Sequence, residues 1–568
     1  MTVAKSIFIT LLTLLYFQGF SQGTSFKEWH LLDQKADSIH GISLNKAYDF
    51  LKGKKSKQVI IAVIDSGIDT THEDLKNVLW HNPGEIPGND IDDDHNGYID
   101  DIYGWNFIGG KDGKNVRTES KEAARVYHRY KAKFDNKNIN ESQLSAEEKE
   151  EYVLWGNARE LLKAKPEDQV EMLFVEMMTK AAKKHEKILK EDMKKDTFTV
   201  SAVEDYTTTN PLAKRAKLGY ITFMKIMQID REETNVFTFE QLDEYLDEKK
   251  KQQEAKDIPP ANYRNEIVKD DYNNINDRFY GNNDVMGPIP LHGTHVSGTI
   301  AAQRNNGIGC NGIADNVRIM MIRAVPDGDE YDKDIALAIK YAVDNGAKVI
   351  NMSFGKGISP EKLWVDDAVK YAEAKDVLLV HAAGNDNTDV DSSGNFPCSK
   401  LKKCNCIATN FITVGACSDP KISGDFVAEF SNYGRQSVDV FAPGVKIYST
   451  IPGGNTYGFL KGTSMASPVV AGLAALIRSY YPSLSAKEVK EVIEKSVVSD
   501  TSIHVLKPGT KDSISMSDLC TSGGFINAYN AVKLAAQIQA SEATTRIKTA
   551  IRKQPLPKST FKNLSVKQ

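Results

Sequence analysis

The sequence lacks any large excess of charge of one sign. Its 72 lysine and arginine residues are nearly balanced by 76 aspartate and glutamate residues, which leaves a formal net charge of −4. A chain with this balance has no overall electric field that gathers nucleic acid or an anionic membrane surface. The composition therefore excludes nucleic acid as an expected partner. The predicted C-terminal tail, residues 536–568, is the local exception, because residues 546–567 carry seven basic side chains and no acidic one.

The sequence also lacks any stretch of 18 uninterrupted apolar residues. One shorter apolar run, residues 7–20, follows Lys5 and precedes the small and polar residues 21–23. This order is typical of a secretory signal, and the run is shorter than the roughly 20 residues that a membrane-spanning helix needs. We predict a signal peptide over residues 1–21, export to the periplasm or the medium, and no stable membrane insertion after cleavage. An uncleaved membrane anchor is the alternative.

Cysteine is scarce. The chain has six cysteines, and three of them lie close together at Cys398, Cys404 and Cys406. The spacing of these three does not fit a zinc ribbon. Because an even number of cysteines in an exported chain favours disulfides, we expect Cys398 to be bonded to Cys404 or Cys406. The alternative is that several of the six cysteines are buried free thiols.

Several short apolar runs rich in β-branched residues are typical of strands that are buried on both faces. These runs are residues 58–64, 317–322, 349–352, 377–380 and 412–415. Helical stretches, such as residues 335–345 and 360–375, lie between them. Strands and helices that alternate in this way predict an α/β fold with a doubly wound, mostly parallel sheet. Ligands of such sheets lie beyond the carboxyl ends of the strands, where Asp65 follows the first run.

The middle of the chain, residues 111–276, is rich in lysine and glutamate and poor in strand-forming residues. We predict that it is a helical insertion in an α/β domain formed by residues 58–110 and 277–535, with a short N-terminal segment over residues 22–57. Six apolar residues at helical spacing predict one face of a helix, namely Val170, Leu173, Phe174, Met177, Met178 and Ala181. We expect this face to be packed; a lid that contacts a substrate or partner is the alternative.

Three short stretches carry residue types that suit one reaction. Asp65 ends the first run in Val-Ile-Asp-Ser-Gly, His292 opens His-Gly-Thr-His, and Ser464 lies in Gly-Thr-Ser-Met-Ala-Ser-Pro. A serine hydroxyl becomes a strong nucleophile when an adjacent base takes its proton, and histidine titrates near neutral pH. An aspartate can fix the tautomer of that histidine and stabilise the imidazolium. These residue types therefore indicate nucleophilic catalysis.

The three stretches, in the order Asp…His…Ser, resemble the signature blocks of the subtilisin-like serine peptidases, the subtilases of peptidase family S8. The resemblance covers residues 59–110 and 279–532. It implies a subtilisin-like fold, endopeptidase activity on proteins or peptides, and no cofactor for the chemistry. It also implies that Asp65, His292 and Ser464 are catalytic, whereas His295, the rival base, is structural. Asp69 is a rival to Asp65, but it lies further into the turn, so we expect Asp65 to be the catalytic carboxylate.

Two further stretches resemble the subtilase blocks that hold the substrate. Residues 380–386 resemble the block that carries the oxyanion-hole asparagine, which implies that Asn385 donates its side-chain NH2 beside the backbone N–H of Ser464. A turn-forming role is the alternative for Asn385. Residues 351–355 resemble the segment that pairs with an extended substrate strand, which implies that Ser353, Phe354 and Gly355 bind substrate. Phe354 replaces the smaller aliphatic residue that is common there.

Acidic residues at alternate positions form a second constellation in residues 90–101. Asp92, Asp94 and Asn96, followed by Gly97, match the first half of an EF-hand loop, but Tyr103 stands where the last glutamate is expected. Oxygen ligands in this arrangement suit a hard cation, so we predict a structural calcium site. A solvated acidic turn is the alternative of equal weight.

We therefore predict an exported serine endopeptidase that acts on proteins or peptides through an acyl-enzyme on Ser464. The alternative is an inactive subtilase scaffold that acts as a binding module. A non-proteolytic α/β hydrolase would need a Gly-x-Ser-x-Gly elbow and the order Ser…Asp…His, and the sequence shows neither.

Overall fold

A computed structural model describes residues 27–553, apart from residues 136, 164–165, 228 and 500–502. The predicted signal peptide, residues 1–21, and the end of the predicted basic tail, residues 554–568, lie outside the described residues. None of the described helices is both long enough and apolar enough to cross a membrane.

One seven-stranded parallel sheet forms the centre of the molecule, in the spatial order β2-β3-β1-β4-β5-β8-β9. The other strands form three antiparallel two-stranded ladders, β6–β7, β10–β11 and β12–β13. In chain order the strands are β1 (Val59–Asp65), β2 (Gly104–Asn106), β3 (Val317–Arg323), β4 (Val349–Met352), β5 (Leu378–Ala382), β6 (Lys400–Leu401), β7 (Cys406–Ile407), β8 (Phe411–Cys417), β9 (Val440–Pro443), β10 (Ile447–Ile451), β11 (Thr456–Leu460), β12 (His504–Leu506) and β13 (Ser513–Ser515).

The described helices fall into an N-terminal pair, an inserted group and a group that flanks the sheet. The first two groups are α1 (Gln34–Asp37), α2 (Leu44–Leu51), α3 (Glu122–Phe134), α4 (Ala146–Leu161), α5 (Pro166–Met193), α6 (Val200–Asp205), α7 (Pro211–Ile226), α8 (Asn235–Glu254) and α9 (Tyr263–Ile267). The third group is α10 (Leu291–Ala301), α11 (Asp332–Asp344), α12 (Lys362–Ala374), α13 (Val390–Ser393), α14 (Pro420–Ser423), α15 (Thr463–Tyr480), α16 (Ala486–Lys495) and α17 (Ala528–Lys553).

Helices cover both faces of the sheet, which confirms the predicted doubly wound α/β fold. Ile61 and Val63 of β1 point to the face that α10 and α15 cover, whereas Ala62 and Ile64 point to the face that α11 and α12 cover. Side chains of a strand alternate between its two faces, so a strand buried on both sides must be apolar at every position. This requirement explains the continuous apolar runs of the sequence.

The N-terminal segment packs into the main core. The side chains of Trp29, Ile42 and Leu44 are fully buried there, and the indole N–H of Trp29 donates to the carbonyl of Val445 at 3.0 Å. Helix α2 packs against α17 near the other end of the chain. The backbone N–H of Ala528 also donates to the carbonyl of Ile42 at 2.7 Å. Helix α17 continues past residue 536, where we predicted the start of the basic tail.

The predicted packing of the apolar face in the insertion is wrong for most of its residues. Four of the six are exposed on α5, with exposed fractions between 43% and 61%: Val170, Leu173, Phe174 and Met177. Helix α5 packs against α7 and α8 through a neighbouring stripe that includes Val175, Ala182 and Leu189. The lobe formed by α5–α8 thus has its own small core, and helical spacing alone could not tell which of two adjacent stripes is buried.

The cysteines differ from the predicted pairing. Cys404 is bonded to Cys406, and Cys398 is a free thiol, so the expected bridge from Cys398 is wrong. Cys310, Cys417 and Cys520 are buried free thiols, as the alternative stated. The ladder β6–β7 explains why Cys398 is not bonded to Cys404 or Cys406. It places Cys406 opposite Leu401, and it leaves Cys398 beyond the end of the ladder.

Candidate active site

Asp65 is the last residue of β1, at the carboxyl edge of the sheet. Its side chain is 1% exposed, and its Oδ1 lies 2.7 Å from Nδ1 of His292. The same oxygen accepts the backbone N–H of Ser66 at 2.8 Å. The register of β1 between β3 and β4 fixes the position of Asp65, because both neighbouring strands pair with it along most of its length.

His292 is the second residue of α10 and lies between Asp65 and solvent. Its side chain is 37% exposed, so one edge of the ring faces the protein and the other faces the cleft. The contact with Asp65 keeps the proton on Nδ1 and leaves Nε2 able to accept one. Burial lowers the pKa of His292, but the charge and hydrogen bond of Asp65 outweigh it, so the pKa is raised above its ordinary value of 6.5.

Ser464 is the second residue of α15, a helix that packs against α10, β4 and β5. The helix begins at Thr463, so Ser464 lies within its first turn, at the positive end of the helix dipole. The preceding Gly462 has φ 151°, a conformation that side chains rarely adopt. The hydroxyl of Ser464 donates to the carbonyl of Ser353 at 3.0 Å. Among the described residues, no hydrogen bond joins Ser464 to His292.

Asn385 follows β5 and turns its amide toward α15. Its side-chain oxygen accepts the backbone N–H of Thr463 at 2.8 Å and the hydroxyl of Thr463 at 3.0 Å. These two bonds fix which end of the amide is oxygen. The NH2 group therefore points elsewhere, and it has no hydrogen-bond acceptor among the described residues. An amide held in this way presents a free donor next to the first turn of α15, where Ser464 lies.

Residues 353–355 follow β4 and pass next to Ser464, whose hydroxyl donates to the carbonyl of Ser353. The carbonyl of Phe354 lies 2.7 Å from Nε2 of His381, a buried side chain whose pKa burial lowers to about 4. Gly355 is exposed, and a Cβ at this position would lie 2.5 Å from Oδ1 of Asn395. The sequence indicated Ser353, Phe354 and Gly355, but not that His381 supports them. No motif marks His381, because its contact depends on the pairing of β4 with β5.

The two rival residues are engaged elsewhere. His295 is fully buried, its Nε2 lies 2.9 Å from the carbonyl of Ile447, and burial lowers its pKa to about 3. Asp69 accepts the backbone N–H and the hydroxyl of Thr71. Neither side chain contacts the imidazole of His292 through a hydrogen bond within the described part of the chain. Both side chains thus make their hydrogen bonds away from His292.

The acidic loop brings three carboxylates together. Oxygens of Glu85, Asp92 and Asp94 lie within 4.8 Å of one another. None of the three forms an ion pair with a described lysine, arginine or histidine. Asn96, the third residue that the sequence indicated, instead donates through its side chain to Asp94 and Asp101 and accepts the backbone N–H of Tyr98. Sequence spacing missed Glu85, which lies outside the EF-hand-like pattern.

Comparisons with known proteins identify the family of this chain. The family model described as Peptidase_S8, Subtilase family, matches residues 56–515. A thermophilic serine proteinase of Bacillus sp. (strain AK1) is 43% identical over 242 residues, which are 42% of this chain and 52% of that protein. Subtilisin DY of Bacillus licheniformis is 41% identical over 201 residues, which are 35% of this chain and 67% of the relative.

A cell wall-associated protease of Bacillus subtilis (strain 168) is 35% identical over 219 residues, which are 38% of this chain and 22% of the relative. The chain thus spans about half the length of the thermophilic proteinase and less of the cell wall-associated protease. The family model, in contrast, covers most of the chain and includes the segments that hold Asp65, His292, Asn385 and Ser464. The chain therefore belongs to the subtilase family, peptidase family S8.

Proposed function

We propose that this protein is an exported serine endopeptidase that hydrolyses peptide bonds through an acyl-enzyme on Ser464. The observation that carries the proposal is the 2.7 Å contact between Asp65 and His292 at the carboxyl edge of the sheet. The position of Ser464 in the first turn of a helix that packs against the helix of His292 supports it further.

The reaction begins with proton transfer from Ser464 to Nε2 of His292. For this step the hydroxyl rotates away from the carbonyl of Ser353, its acceptor in the structure. The serine oxygen then bonds to the carbonyl carbon of the substrate, and Asp65 stabilises the imidazolium that forms. His292 returns the proton to the leaving amine as the C–N bond breaks. Water, activated by the same imidazole, then releases the acyl group from Ser464.

The free NH2 of Asn385 and the backbone N–H of Ser464 stabilise the oxyanion. A donor that is held in place before the reaction lowers the barrier because it need not reorganise as charge develops. The bonds from Thr463 hold the amide of Asn385 in this way. The substrate lies extended along residues 353–355, which bind the residues on the acyl side of the cleaved bond.

The proposal is tested by incubating the purified protein with a pool of unstructured peptides and identifying the new termini by mass spectrometry. We expect internal cleavage, with a residue preference on the acyl side that reflects the surroundings of Phe354. An inactive scaffold that only binds peptides predicts no new termini, and that result would overturn the proposal. Inclusion of a serine-directed inhibitor as a control separates this activity from that of a contaminating metallopeptidase.

Replacing Asn385 with alanine is expected to lower kcat by about 10²–10³-fold, because one preorganised oxyanion donor is lost. KM should change little, since the donor acts mainly on charge that develops in the transition state. Steady-state kinetics with a fluorogenic peptide measures both parameters. Asn395→Ala, which alters a nearby amide that binds the carbonyls of Ala382 and Ala383, is the matched control. A structural role for Asn385 would instead give equal losses in the two variants.

We also propose that Glu85, Asp92 and Asp94 hold a structural calcium ion. Three unpaired carboxylates within 4.8 Å repel one another, and a hard cation with oxygen ligands relieves that repulsion. Calcium at about 100 times its Kd should add about 2.7 kcal/mol to the free energy of unfolding. The melting temperature of chelated protein should then rise by about 2–3 °C. The variant Asp92→Asn/Asp94→Asn should show no increase in melting temperature when calcium is added. If calcium does not change the melting temperature of the unmodified chain, the site is contradicted.

Export and removal of residues 1–21 complete the proposal. The name of one relative, a cell wall-associated protease, supports a location outside the cytoplasm. The order of basic, apolar and small residues at the start of the sequence supports it independently.

A further inference from the structure

In the segment after β4, one residue has free backbone hydrogen-bonding groups and the next has paired ones. Gly355 is exposed, and neither its N–H nor its carbonyl has a hydrogen-bond partner among the described residues. Lys356, the next residue, exchanges both backbone hydrogen bonds with Phe396, at 3.1 and 2.9 Å. Backbone groups alternate in direction along an extended segment. The free groups of Gly355 therefore face the cleft, on the side opposite to Phe396.

The side chain of Lys356 crosses to the segment that follows β3. Its Nζ donates to the carbonyl of Glu330 at 2.8 Å and lies 2.9 Å from Oδ1 of Asp332. Lys356 is only 5% exposed. Residues 353–358 and residues 329–332 are thus joined at the level of Lys356, one residue beyond the free groups of Gly355.

Helix α3 of the insertion contacts both of these joined segments. The carboxylate of Glu122 lies 2.8 Å from Nζ of Lys356, and its backbone N–H donates to Oδ2 of Asp329 at 2.8 Å. The guanidinium of Arg125 donates to the carbonyls of Asp329 and Glu330, each at 3.0 Å. Glu122 is 1% exposed. We call Glu122, Arg125 and Lys356 the clamp.

The insertion continues to cover the segment beyond the clamp. Ile358 is buried among apolar residues of α3 and α4, including Val126, Trp155 and Ala158. A Cβ at Gly357 would lie 3.3 Å from Cδ1 of Leu161, so the end of α4 rests against Gly357. Lys356 and Ile358, on either side of the exposed Gly357, are thus both covered by the insertion.

We propose that the clamp ends the acyl side of the substrate cleft after the third residue from the cleaved bond. This inference rests on the proposed peptidase function. The carbonyl of Ser353 accepts the hydroxyl of Ser464, so the first residue lies beside Ser353 and the third beside Gly355. Three residues of extended chain span about 10 Å. A fourth residue meets a buried ion pair instead of a pocket, and longer substrates must turn out of the cleft at α3.

The inference is tested with fluorogenic peptides that carry one to six residues on the acyl side and the same residue next to the cleaved bond. We expect kcat/KM to rise by about tenfold between one and three residues, because the third residue gains the two hydrogen bonds of Gly355. Between three and six residues it should change by less than about twofold. A further rise of about tenfold over that range would overturn the inference. If no peptide is cleaved and a fluorophosphonate does not label Ser464, the proposed function itself fails.

The double variant Glu122→Ala/Lys356→Ala removes the ion pair between these two residues. Arg125 keeps the carbonyls of Asp329 and Glu330, and Asp332 keeps the hydroxyl of Ser359 and the backbone N–H of Glu361. We expect six-residue peptides to gain about tenfold over three-residue peptides in this variant, as a fourth residue finds space. Lys402→Ala is the matched control, because the ion pair of Lys402 with Glu150 joins the same insertion to the core at the surface. The measured quantity is the ratio of kcat/KM for six-residue peptides to kcat/KM for three-residue peptides. The role of the clamp is contradicted if this ratio is the same in the unmodified protein and both variants, or if it rises equally in both variants. A double variant that does not fold leaves the series with the unmodified protein as the deciding measurement.

Discussion

Replacing Ser464 with alanine is expected to lower kcat/KM by about 10⁶-fold, the largest effect of any single substitution in this chain. Alanine has no hydroxyl that can bond to the substrate carbon, and the remaining oxyanion donors and binding surfaces act only on uncatalysed attack by water. The backbone should be unaffected, because Ser464 makes one side-chain hydrogen bond, to the carbonyl of Ser353.

Labelling with a fluorophosphonate measures the same loss independently of substrate choice, since the reagent reacts with an activated serine. The unmodified protein should be labelled at one residue, identified by peptide mapping. Ser423→Ala, which changes an exposed serine of α14, is the control and should be labelled normally. Persistent labelling or cleavage by Ser464→Ala would assign the nucleophile to another residue.

Replacing Asp65 with asparagine is expected to lower kcat by about 10⁴-fold while leaving the fold intact. The carboxylate accepts a hydrogen bond from Nδ1–H of His292 at 2.7 Å, whereas an asparagine NH2 would donate to the same nitrogen. The imidazole would then carry its proton on Nε2, where it cannot accept one from Ser464. Steady-state kinetics at a fixed pH and a thermal melt separate loss of catalysis from loss of folding.

The dependence of kcat/KM on pH provides a second readout for Asp65. His292 accepts a proton only when it is neutral, so activity rises with pH through the pKa of His292 in the free enzyme. Asp65 raises this pKa, and the half-maximal point of the unmodified enzyme should therefore lie above pH 6.5. Without the negative charge, burial lowers the pKa, and the residual activity of Asp65→Asn should reach half its maximum at a lower pH. Asp69→Asn should leave the half-maximal point unchanged; an equal shift in both variants would contradict a specific role for Asp65.

Local sequence patterns predicted five of the seven strands of the central sheet, and missed the short strands β2 and β9. The strands β1, β3, β4, β5 and β8 are continuous apolar runs because helices cover both faces of the sheet. Helix α15 begins at Thr463, within the motif that holds Ser464. Pro468 lies in the second turn, where its missing N–H removes one of the first intrahelical bonds at most, so the proline did not mark the start of the helix.

Features that depend on contacts between distant segments could not be predicted in this way. The exposed stripe on α5 has the same periodicity as a buried one. Apolar periodicity shows that residues share one face of a helix, but it does not show what packs against that face. Glu85 joins Asp92 and Asp94 only through the fold of the acidic loop. The clamp likewise needs Glu122 and Lys356, which are 234 residues apart in the chain. From the sequence alone, charged residues such as Glu122 and Lys356 are predicted to be exposed to solvent, because the partners that allow their burial are not known.

The buried N-terminal segment has a consequence for how the peptidase matures. Trp29, Ile42 and Leu44 each lose nearly all contact with water, and burial of one such side chain contributes about 1.5–3 kcal/mol. Release of residues up to 51 after a processing cut would expose the core residues that these side chains cover, near Val445 and α17. We therefore expect the segment to stay bound to the folded domain, and its loss to lower the free energy of unfolding.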